Sequence, residues 1–186
     1  MSTSSSSDDD STTEITPREV DEAQQAWCDG LLKISRTYRE GGDYRDVAET
    51  FIDDMYDFAE GKVFFRPTLA MAPQNFRTTR EGALSYFIGE DDDFPEDEGF
   101  AKKPWIDARY DNAIEGSDAI QIHCNIAMAM GNVYLRQDEV SIGGKEVVVD
   151  KVFAYRKDKK GKLRLCVHKS ALSNIPESEV PEDPET

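Results

Sequence analysis

The first third of the chain carries apolar residues at steps of three and four positions, which is the spacing of an amphipathic helix. The first stripe consists of Val20, Ala23, Trp27, Leu31, Ile34 and Tyr38. Thr16 stands at the N-cap position, Pro17 follows at the first helical position, and Glu19 completes a capping box. Because Gly41 and Gly42 end the pattern, the sequence predicts one long helix between these two boundaries.

Shorter elements follow this helix. Asp43 is a suitable N-cap for a second helix. Its apolar stripe consists of Val47, Phe51, Met55 and Phe58. Residues 62–66 are aromatic and strand-like and end at Pro67, while a third, short helix is predicted over residues 81–88. An acidic loop at residues 90–99 comes next, and we expect the apolar stripes to form the core.

From residue 105 onward apolar and polar residues alternate, which predicts antiparallel strands over residues 105–114, 120–131, 147–156 and 163–170. A hairpin turn is predicted at residues 141–144. Isoleucines and methionines share one face of the longest strand. Its other face carries Gln121, His123, Asn125, Ala127, Ala129 and Gly131. Small and polar residues on one face are typical of the concave side of a curved sheet that encloses a pocket.

Helices followed by a run of strands predict an α+β fold in which the helices pack on one face of the sheet. The order of elements resembles the cone shared by nuclear transport factor 2 (NTF2) and ketosteroid isomerase, a strongly curved antiparallel sheet closed by N-terminal helices. A single domain is expected over residues 15–175. Residues 1–14, rich in serine and acids, and residues 176–186, rich in proline and acids, are predicted to be disordered tails.

The charge and cysteine content exclude several classes of protein. With 38 acidic and 22 basic residues, the net charge of -16 disfavours binding to nucleic acid or to anionic membranes. No apolar run approaches the roughly 20 residues that span a bilayer. The three cysteines lack a CxxC spacing and are expected to be reduced, in the cytoplasm or in an organelle stroma.

One histidine–serine pair is a candidate for chemistry. His168 and Ser170 lie two residues apart in the last predicted strand, so their side chains are expected to point to the same face. His123 is the other histidine of the chain, and with Asn125 it falls on the polar face of the longest predicted strand, as a secondary candidate for lining a pocket. Each of these residues alone is more often structural than catalytic.

Six segments, in order, resemble the iota-class carbonic anhydrases, which share a domain related to the association domain of calcium/calmodulin-dependent kinase. They are PREVDEAQQAWCDGLL, FFRPTLAMAPQNFR, REGALSYFIG, FPEDEGFAKKPW, MAMGNVY and FAYRKDKKGKLRLCVHKSAL. Together they run from Pro17 to Leu172. The resemblance implies an NTF2-like cone, reversible hydration of carbon dioxide to bicarbonate (carbonate dehydratase, a lyase), and a homodimer.

The resemblance also implies the site residues. The closing motif of the family reads roughly His-His-Ser-Ser-Leu-Pro, and this chain keeps its first histidine and its first serine. Lys169, Ala171 and Ser173 replace the second histidine, the second serine and the proline. Strand alternation turns Lys169 and Ala171 away from the His168 face. Matched by motif, the threonine, tyrosine, histidine and serine of the family site are Thr68, Tyr86, His168 and Ser170.

A metal-free site is predicted from the supply of ligands. A catalytic zinc ion normally has three protein ligands, mostly histidine or cysteine, and this chain has two histidines far apart in sequence. A zinc site is therefore not expected. Carboxylates are plentiful, so weak manganese or magnesium binding stays open. Members of the resembled family have been described both as manganese-preferring and as metal-free.

The hypothesis for a metal-free reaction is concerted general-base catalysis. Ser170 or Tyr86 positions the attacking water, and His168 accepts its proton directly or through a hydroxyl group. Thr68 and Tyr86 donate hydrogen bonds to the developing bicarbonate oxygens. Two other classes stay open: a noncatalytic association module, and a ketosteroid-isomerase-like enzyme whose base is Asp107 or Asp150.

Overall fold

The computed structural model describes residues 14–114, 117–138 and 146–173. The predicted C-terminal tail, the predicted turn at residues 141–144 and all but the last residue of the predicted N-terminal tail lie outside these residues. The helices are α1 (Pro17–Arg39), α2 (Tyr44–Met55) and α3 (Arg80–Ile88), and a short 3-10 helix spans Phe100–Lys102.

The N-terminus of α1 has the predicted capping box. The backbone amide of Glu19 donates to Thr16 Oγ1 at 3.3 Å, and the backbone amide of Thr16 donates to Glu19 Oε2 at 2.8 Å. These two bonds satisfy donors that the first turn of a helix leaves without partners. After the helix, Gly41 adopts a left-handed φ of 71°, a conformation that glycine reaches without steric cost.

The strands of the described residues form one six-stranded sheet and one separate two-stranded pair. They are β1 (Phe64–Arg66), β2 (Trp105–Asp111), β3 (Ala113–Ile114), β4 (Ser117–Asp118), β5 (Ile120–His123), β6 (Ile126–Gln137), β7 (Glu146–Lys157) and β8 (Leu163–Leu172). The sheet order is β1-β8-β7-β6-β2, with β5 also paired to β6, and β3 pairs with β4 apart from the sheet. Neighbours are antiparallel except β1, which runs parallel to β8.

The three helices pack on one face of this sheet, as an α+β fold requires. Trp27 of α1 lies at the centre of the interface and is fully buried. Its ring contacts Phe51 of α2, Phe87 of α3 and Phe153 of β7, with ring centroids 5.8–6.4 Å apart. The predicted α+β architecture is therefore confirmed, with the parallel β1 as an addition to the antiparallel sheet that was predicted.

The prediction of one strand over residues 120–131 is wrong. A tight hairpin divides it, because Cys124 adopts a left-handed φ of 53° and reverses the chain between β5 and β6. Within β6 the predicted alternation is correct, since Ala127 and Ala129 are buried whereas Met128 and Met130 are exposed. The predicted strand over residues 105–114 likewise ends at Asp111, where β2 stops.

An irregularity in β8 determines which of its residues face the helices. Tyr155 of β7 pairs with Leu165, but the preceding Ala154 pairs with Val167, so Cys166 is an extra residue in β8. Such a β-bulge shifts the phase of side-chain alternation by one residue. As a result Leu165 is buried on one side of the bulge, and His168 and Ser170 are buried beyond it.

Among the helices formed by the described residues, none has the length and apolar character needed to cross a membrane.

Candidate active site

His168 and Ser170 lie next to each other on the inner face of the sheet, under the helices. Their exposed fractions are 1% and 2%. Lys169, between them, points outward and is exposed, as strand alternation predicts. The phenyl ring of Phe65 stacks on the imidazole with ring centroids 4.4 Å apart, and Phe153 meets it edge-on at 4.7 Å. The histidine–serine pair is thus held in an aromatic, water-poor environment.

A buried lysine joins this pair. Lys151 of β7 is 4% exposed and lies directly across the sheet from Ser170. Its Nζ is 2.9 Å from Ser170 Oγ and 2.9 Å from His168 Nε2. Ser170 Oγ is itself 2.9 Å from His168 Nε2. Three polar atoms therefore form a closed triangle of hydrogen-bonding distances.

On its other side the imidazole contacts a tyrosine and a tryptophan. Tyr56 Oη lies 2.9 Å from His168 Nδ1, and Trp27 Nε1 donates to the same Oη at 3.0 Å. Tyr56 follows α2 directly and is 2% exposed. The polar chain thus runs through the core from Trp27 through Tyr56 and His168 to Ser170 and Lys151.

The partners of Tyr56 assign the tautomer of His168. An indole N–H is only a donor, so Tyr56 accepts from Trp27 and has its own hydroxyl hydrogen left to donate. The remaining partner of Oη among the described residues is His168 Nδ1, and the opposite tautomer leaves a buried O–H unsatisfied at a cost of about 1–3 kcal/mol. Nδ1 is therefore the acceptor, and the neutral imidazole carries its hydrogen on Nε2.

Burial controls the charge of both nitrogen groups. Burial, followed by the nearby Lys151 ammonium, lowers the pKa of His168 well below its ordinary 6.5, so the imidazole is neutral. Burial also lowers the pKa of Lys151 from 10.5 to about 7, a change that the Cys28 thiolate form opposes. No carboxylate among the described residues lies within 4.0 Å of the Lys151 amine, so no ion pair offsets this desolvation.

Thr68 and Tyr86 meet at the end of β1. Burial raises the pKa of the Tyr86 hydroxyl, and hydrogen bonds from the backbone of Leu69 and Thr68 to this hydroxyl oppose the rise. Thr68 is half-buried, two residues beyond β1. A cavity of about 220 Å³ opens beside Tyr86, and its wall also includes Leu69, Met71, Phe100 and the acidic residues 96–98.

The two groups of predicted residues share Phe65 as a neighbour. Its ring stacks on His168 and meets the ring of Tyr86 edge-on, with centroids 5.6 Å apart. β1 runs parallel to β8 with Phe65 opposite His168, so Thr68 and Ser170 follow at the same end of the two strands. In the part of the chain that the structure describes, no hydrogen bond joins Thr68 or Tyr86 to His168 or Ser170.

The secondary candidates lie elsewhere. His123 ends β5 and Asn125 lies in the hairpin turn before β6, and both are exposed. The hairpin at Cys124 removes them from the buried face that Ala127 and Ala129 occupy. The structure does not bring either residue to the His168 network.

The two aspartates proposed as an isomerase base lie apart from the site as well. Asp150 is exposed and accepts a hydrogen bond from Ser173. Asp107 is half-buried on β2, with its side chain outside the His168 network. Within the described ranges no three His, Cys, Asp or Glu side chains are arranged to hold a metal ion.

Lys151, Tyr56 and Trp27 are members of the network that the sequence reasoning missed. The sequence does contain a sign of the buried lysine. Every second residue of its predicted strand is apolar except Lys151, which lies between Val149 and Phe153. No pattern in the sequence indicates the role of Tyr56, since it directly follows α2 and is not part of the apolar stripe of that helix. The apolar stripe of α1 predicts Trp27 in the core, where it also lies, but the stripe gives no partner for the indole N–H.

Comparison with known proteins identifies the relatives of this chain. A family profile described as metal-independent carbonic anhydrase matches residues 18–172, a range that contains the whole network as well as Thr68 and Tyr86. A curated protein of that name from Nostoc sp. strain PCC 7120 is 46% identical over 160 residues, which is 85% of this chain and 74% of the relative. The family description agrees with the prediction of a metal-free site.

Two solved structures resemble the fold. The iota-carbonic anhydrase from a cyanobacterium, complexed with bicarbonate, has a TM-score of 0.81 at 43% identity and covers 88% of this chain and 96% of that chain. An NTF2-like superfamily protein from Salmonella enterica has a TM-score of 0.52 at 11% identity and covers 89% and 95%, which shows the fold alone. Both the predicted resemblance and the NTF2-like fold are confirmed.

Proposed function

The chain belongs to the family of metal-independent carbonic anhydrases, and we propose that it interconverts carbon dioxide and bicarbonate through the buried network around His168 and Ser170. The observation that carries this proposal is the triangle of Ser170 Oγ, His168 Nε2 and Lys151 Nζ, each 2.9 Å from the others. It lies within the segment that the family profile matches. Proton-handling groups are thereby gathered in a site that excludes bulk water.

A preformed hydroxide is not part of the proposal. Water has a pKa of about 15.7, whereas an ordinary imidazole has one of about 6.5, so forming hydroxide beside it costs roughly 12 kcal/mol. The lowered pKa of His168 makes that cost larger. Water is instead proposed to lose its proton as its oxygen bonds to the carbon atom, which spreads charge in a single transition state.

Each predicted residue has a role in this proposal. Ser170 accepts a hydrogen bond from the attacking water, and His168 orients Ser170 through its Nε2 hydrogen. Thr68 and Tyr86 donate hydrogen bonds to the oxygens on which negative charge develops. The cavity of about 220 Å³ beside Tyr86 is proposed to admit the gas, which is nonpolar and needs no charged binding group.

Ser170→Ala tests the assignment. We expect this variant to lose at least 100-fold in carbon dioxide hydration, because it removes the group that contacts the water. Its circular-dichroism spectrum is expected to match wild type. Hydration at the wild-type rate in Ser170→Ala contradicts the proposed role of the serine, and absence of hydration in wild type contradicts the proposed function.

A chelator assay tests independence from metal. Wild-type hydration is expected to be unchanged after treatment with EDTA and removal of the chelator by gel filtration. Loss of activity on chelation and its return on adding manganese contradict this expectation.

We also propose a homodimer that covers the outer face of the sheet. Ile126, Met128 and Met130 project from β6 on the side away from the helices, with exposed fractions of 43%, 46% and 53%. A contiguous row of apolar side chains of this kind is typical of an interface. Light scattering is expected to give the mass of two chains, and Met130→Glu the mass of one. Met71→Glu, an equally exposed methionine on a loop, is the matched control.

The compartment is proposed from the cysteines. Cys28, Cys124 and Cys166 are all free thiols, and Cys124 is exposed. An exposed thiol persists where the surroundings are reducing, so we propose the cytoplasm or an organelle stroma.

A further inference from the structure

We propose that Lys151 is the group that takes up the proton released on hydration, with the Ser170 hydroxyl as the relay between water and the amine. The inference rests on the proposed function. It replaces the hypothesis from the sequence that His168 accepts the proton, and it is argued from the hydrogen-bond directions in the network.

His168 is blocked as an acceptor on both sides. Its Nδ1 already accepts the hydroxyl hydrogen of Tyr56, because that hydroxyl is occupied on its other side by the indole N–H of Trp27. Its Nε2 therefore bears a hydrogen and faces Ser170 Oγ and Lys151 Nζ. An imidazole in this state donates toward the reaction and has no lone pair free to receive a proton.

Lys151 has the free lone pair. With Nε2 of His168 donating to Ser170 Oγ, the serine hydrogen is directed to the remaining neighbour, the amine 2.9 Å away. A neutral amine accepts it, and Ser170 Oγ keeps a second lone pair for a hydrogen of the attacking water. The two hydrogen bonds that Ser170 Oγ makes in the triangle then each have one donor and one acceptor, and the pair Lys151 Nζ and His168 Nε2 is a close contact without a hydrogen bond of its own.

The surroundings of the amine favour its neutral form at rest. Among the described residues, the titratable groups that face it are Cys28 on α1 and His168 on β8. Both are neutral, because burial raises the pKa of the Cys28 thiol to about 12 and lowers the pKa of the imidazole. Tyr110 of β2 contacts the neighbouring Phe153 ring and has a raised pKa. Burial lowers the pKa of the Lys151 amine to about 7, close to the pH at which a general base is most effective.

The same surroundings accept a transient positive charge. Lys151 Nζ lies 4.5 Å from the centroid of the Trp27 ring and 6.0 Å from that of Phe153. A cation over an aromatic face is attracted to the ring electrons, most strongly over tryptophan. The ammonium formed in the reaction is therefore stabilised without a carboxylate that holds the amine permanently protonated.

The step balances in atoms and charge. The water oxygen bonds to the carbon of carbon dioxide while one water O–H bond breaks and its proton passes to Ser170 Oγ. The original Ser170 O–H bond breaks, and that proton bonds to Lys151 Nζ. The products are bicarbonate and a lysine ammonium. The ammonium then donates to Ser170 Oγ, so the serine hydroxyl turns to donate to bicarbonate, and loss of the extra proton to solvent restores the amine.

Stopped-flow hydration assays of wild type, Lys151→Met and Lys169→Met over about pH 6 to 9 test the proposal. Methionine keeps a similar length and volume in the apolar surroundings and removes only the amine. We expect Lys151→Met to lose at least 100-fold in kcat/KM. Lys169→Met, which changes the exposed lysine beside the network, is expected to match wild type.

The pH profile separates a proton acceptor from a structural residue. Wild-type kcat/KM is expected to rise with pH and to level off above a pKa near 7, where the amine becomes neutral. Nuclear magnetic resonance of protein labelled with 15N-lysine measures the titration of the Lys151 amine directly in wild type, and the two pKa values are expected to coincide. This comparison needs no variant, so it decides the matter even if Lys151→Met does not fold.

Each other outcome overturns the inference. Active Lys151→Met, or an amine that titrates away from the kinetic pKa, excludes Lys151 as the acceptor while the proposed function stands. Wild type without hydration activity overturns the proposed function together with the inference. The wild-type rate therefore tells the two failures apart.

Discussion

Replacing Lys151 by methionine is predicted to stabilise the fold, and to do so more at low pH than at high pH. Burial of the amine, without an ion-pair partner among the described residues, lowers its pKa from 10.5 to about 7. Between these two values the unfolded chain holds a proton on Lys151 that the folded chain does not hold. Unfolding therefore takes up a proton, and the free energy of unfolding of wild type rises with pH between the two pKa values. Below the lower pKa the amine is protonated in both states, so its contribution does not change with pH.

The size of the effect follows from the two pKa values. One pKa unit corresponds to about 1.4 kcal/mol. Over the full range between the two pKa values, this single group therefore changes the free energy of unfolding by on the order of 5 kcal/mol. Between about pH 6 and pH 8.5 the amine contributes roughly 2 kcal/mol of that change. Methionine does not titrate, so the stability advantage of Lys151→Met over wild type is predicted to shrink by about 2 kcal/mol over that interval.

Urea unfolding of wild type and Lys151→Met at both pH values measures this difference. The buried tyrosines and Cys28 also titrate differently in the folded and unfolded chains, but they are common to both proteins and cancel in the comparison. The loss of the contacts with Ser170 and His168 in Lys151→Met changes its free energy of unfolding by an amount that is taken to be the same at both pH values. An advantage of the same size at both pH values would refute the reasoning, since Lys151 then does not change its charge there.

Three further predictions follow from particular contacts. Tyr56→Phe leaves the Trp27 N–H without an acceptor and His168 Nδ1 without a donor, and is expected to lower the free energy of unfolding by about 1–3 kcal/mol per buried group, measured in urea. Tyr86→Phe is expected to keep the fold and to reduce hydration at least 10-fold in stopped-flow assays; unchanged hydration contradicts a role for this hydroxyl. Thr16→Ala is expected to cost about 1 kcal/mol in thermal or urea unfolding, because it removes the N-cap of α1, and hydration is expected to be unaffected.

The helical half of the fold could be predicted because short-range interactions determine where the helices begin. Thr16 and Glu19 cap α1, and Asp43 caps α2 through a bond from the amide of Asp46 to its carboxylate. Such interactions involve residues three positions apart and need no knowledge of the rest of the chain. For this reason the starts of both helices agree with prediction to the residue.

The sheet was harder to predict, because a hairpin turn inside a run of alternating apolar and polar residues does not interrupt the alternation. Residues on both sides of Cys124 alternate in the same way, so the pattern predicts a continuous strand where the structure has a hairpin. The turn depends on a non-glycine residue with positive φ, which sequence rules assign to glycine or asparagine. The parallel pairing of β1 with β8 was also invisible, because it joins segments about 100 residues apart.

The site shows the same division between local and distant information. His168 and Ser170 were found because they are neighbours in sequence, and Thr68 and Tyr86 because motifs of a known family contain them. Lys151 and Tyr56 reach the imidazole only through the tertiary fold, across 17 and 112 residues of chain. Their contacts were therefore beyond the reach of spacing arguments, although the lysine in an apolar row was a visible anomaly.

The bulge at Cys166 decides which side chains of β8 reach the interior. In a strand of the same length without a bulge, positions 163, 165, 167 and 169 would share one face, so Lys169 would occupy the interior while His168 and Ser170 turned to the solvent. Because the bulge accommodates Cys166 outside the alternation, deletion of Cys166 would leave His168 and Ser170 on the inner face. The orientation of the proposed site residues therefore depends on a local irregularity of the backbone as well as on the identity of the side chains.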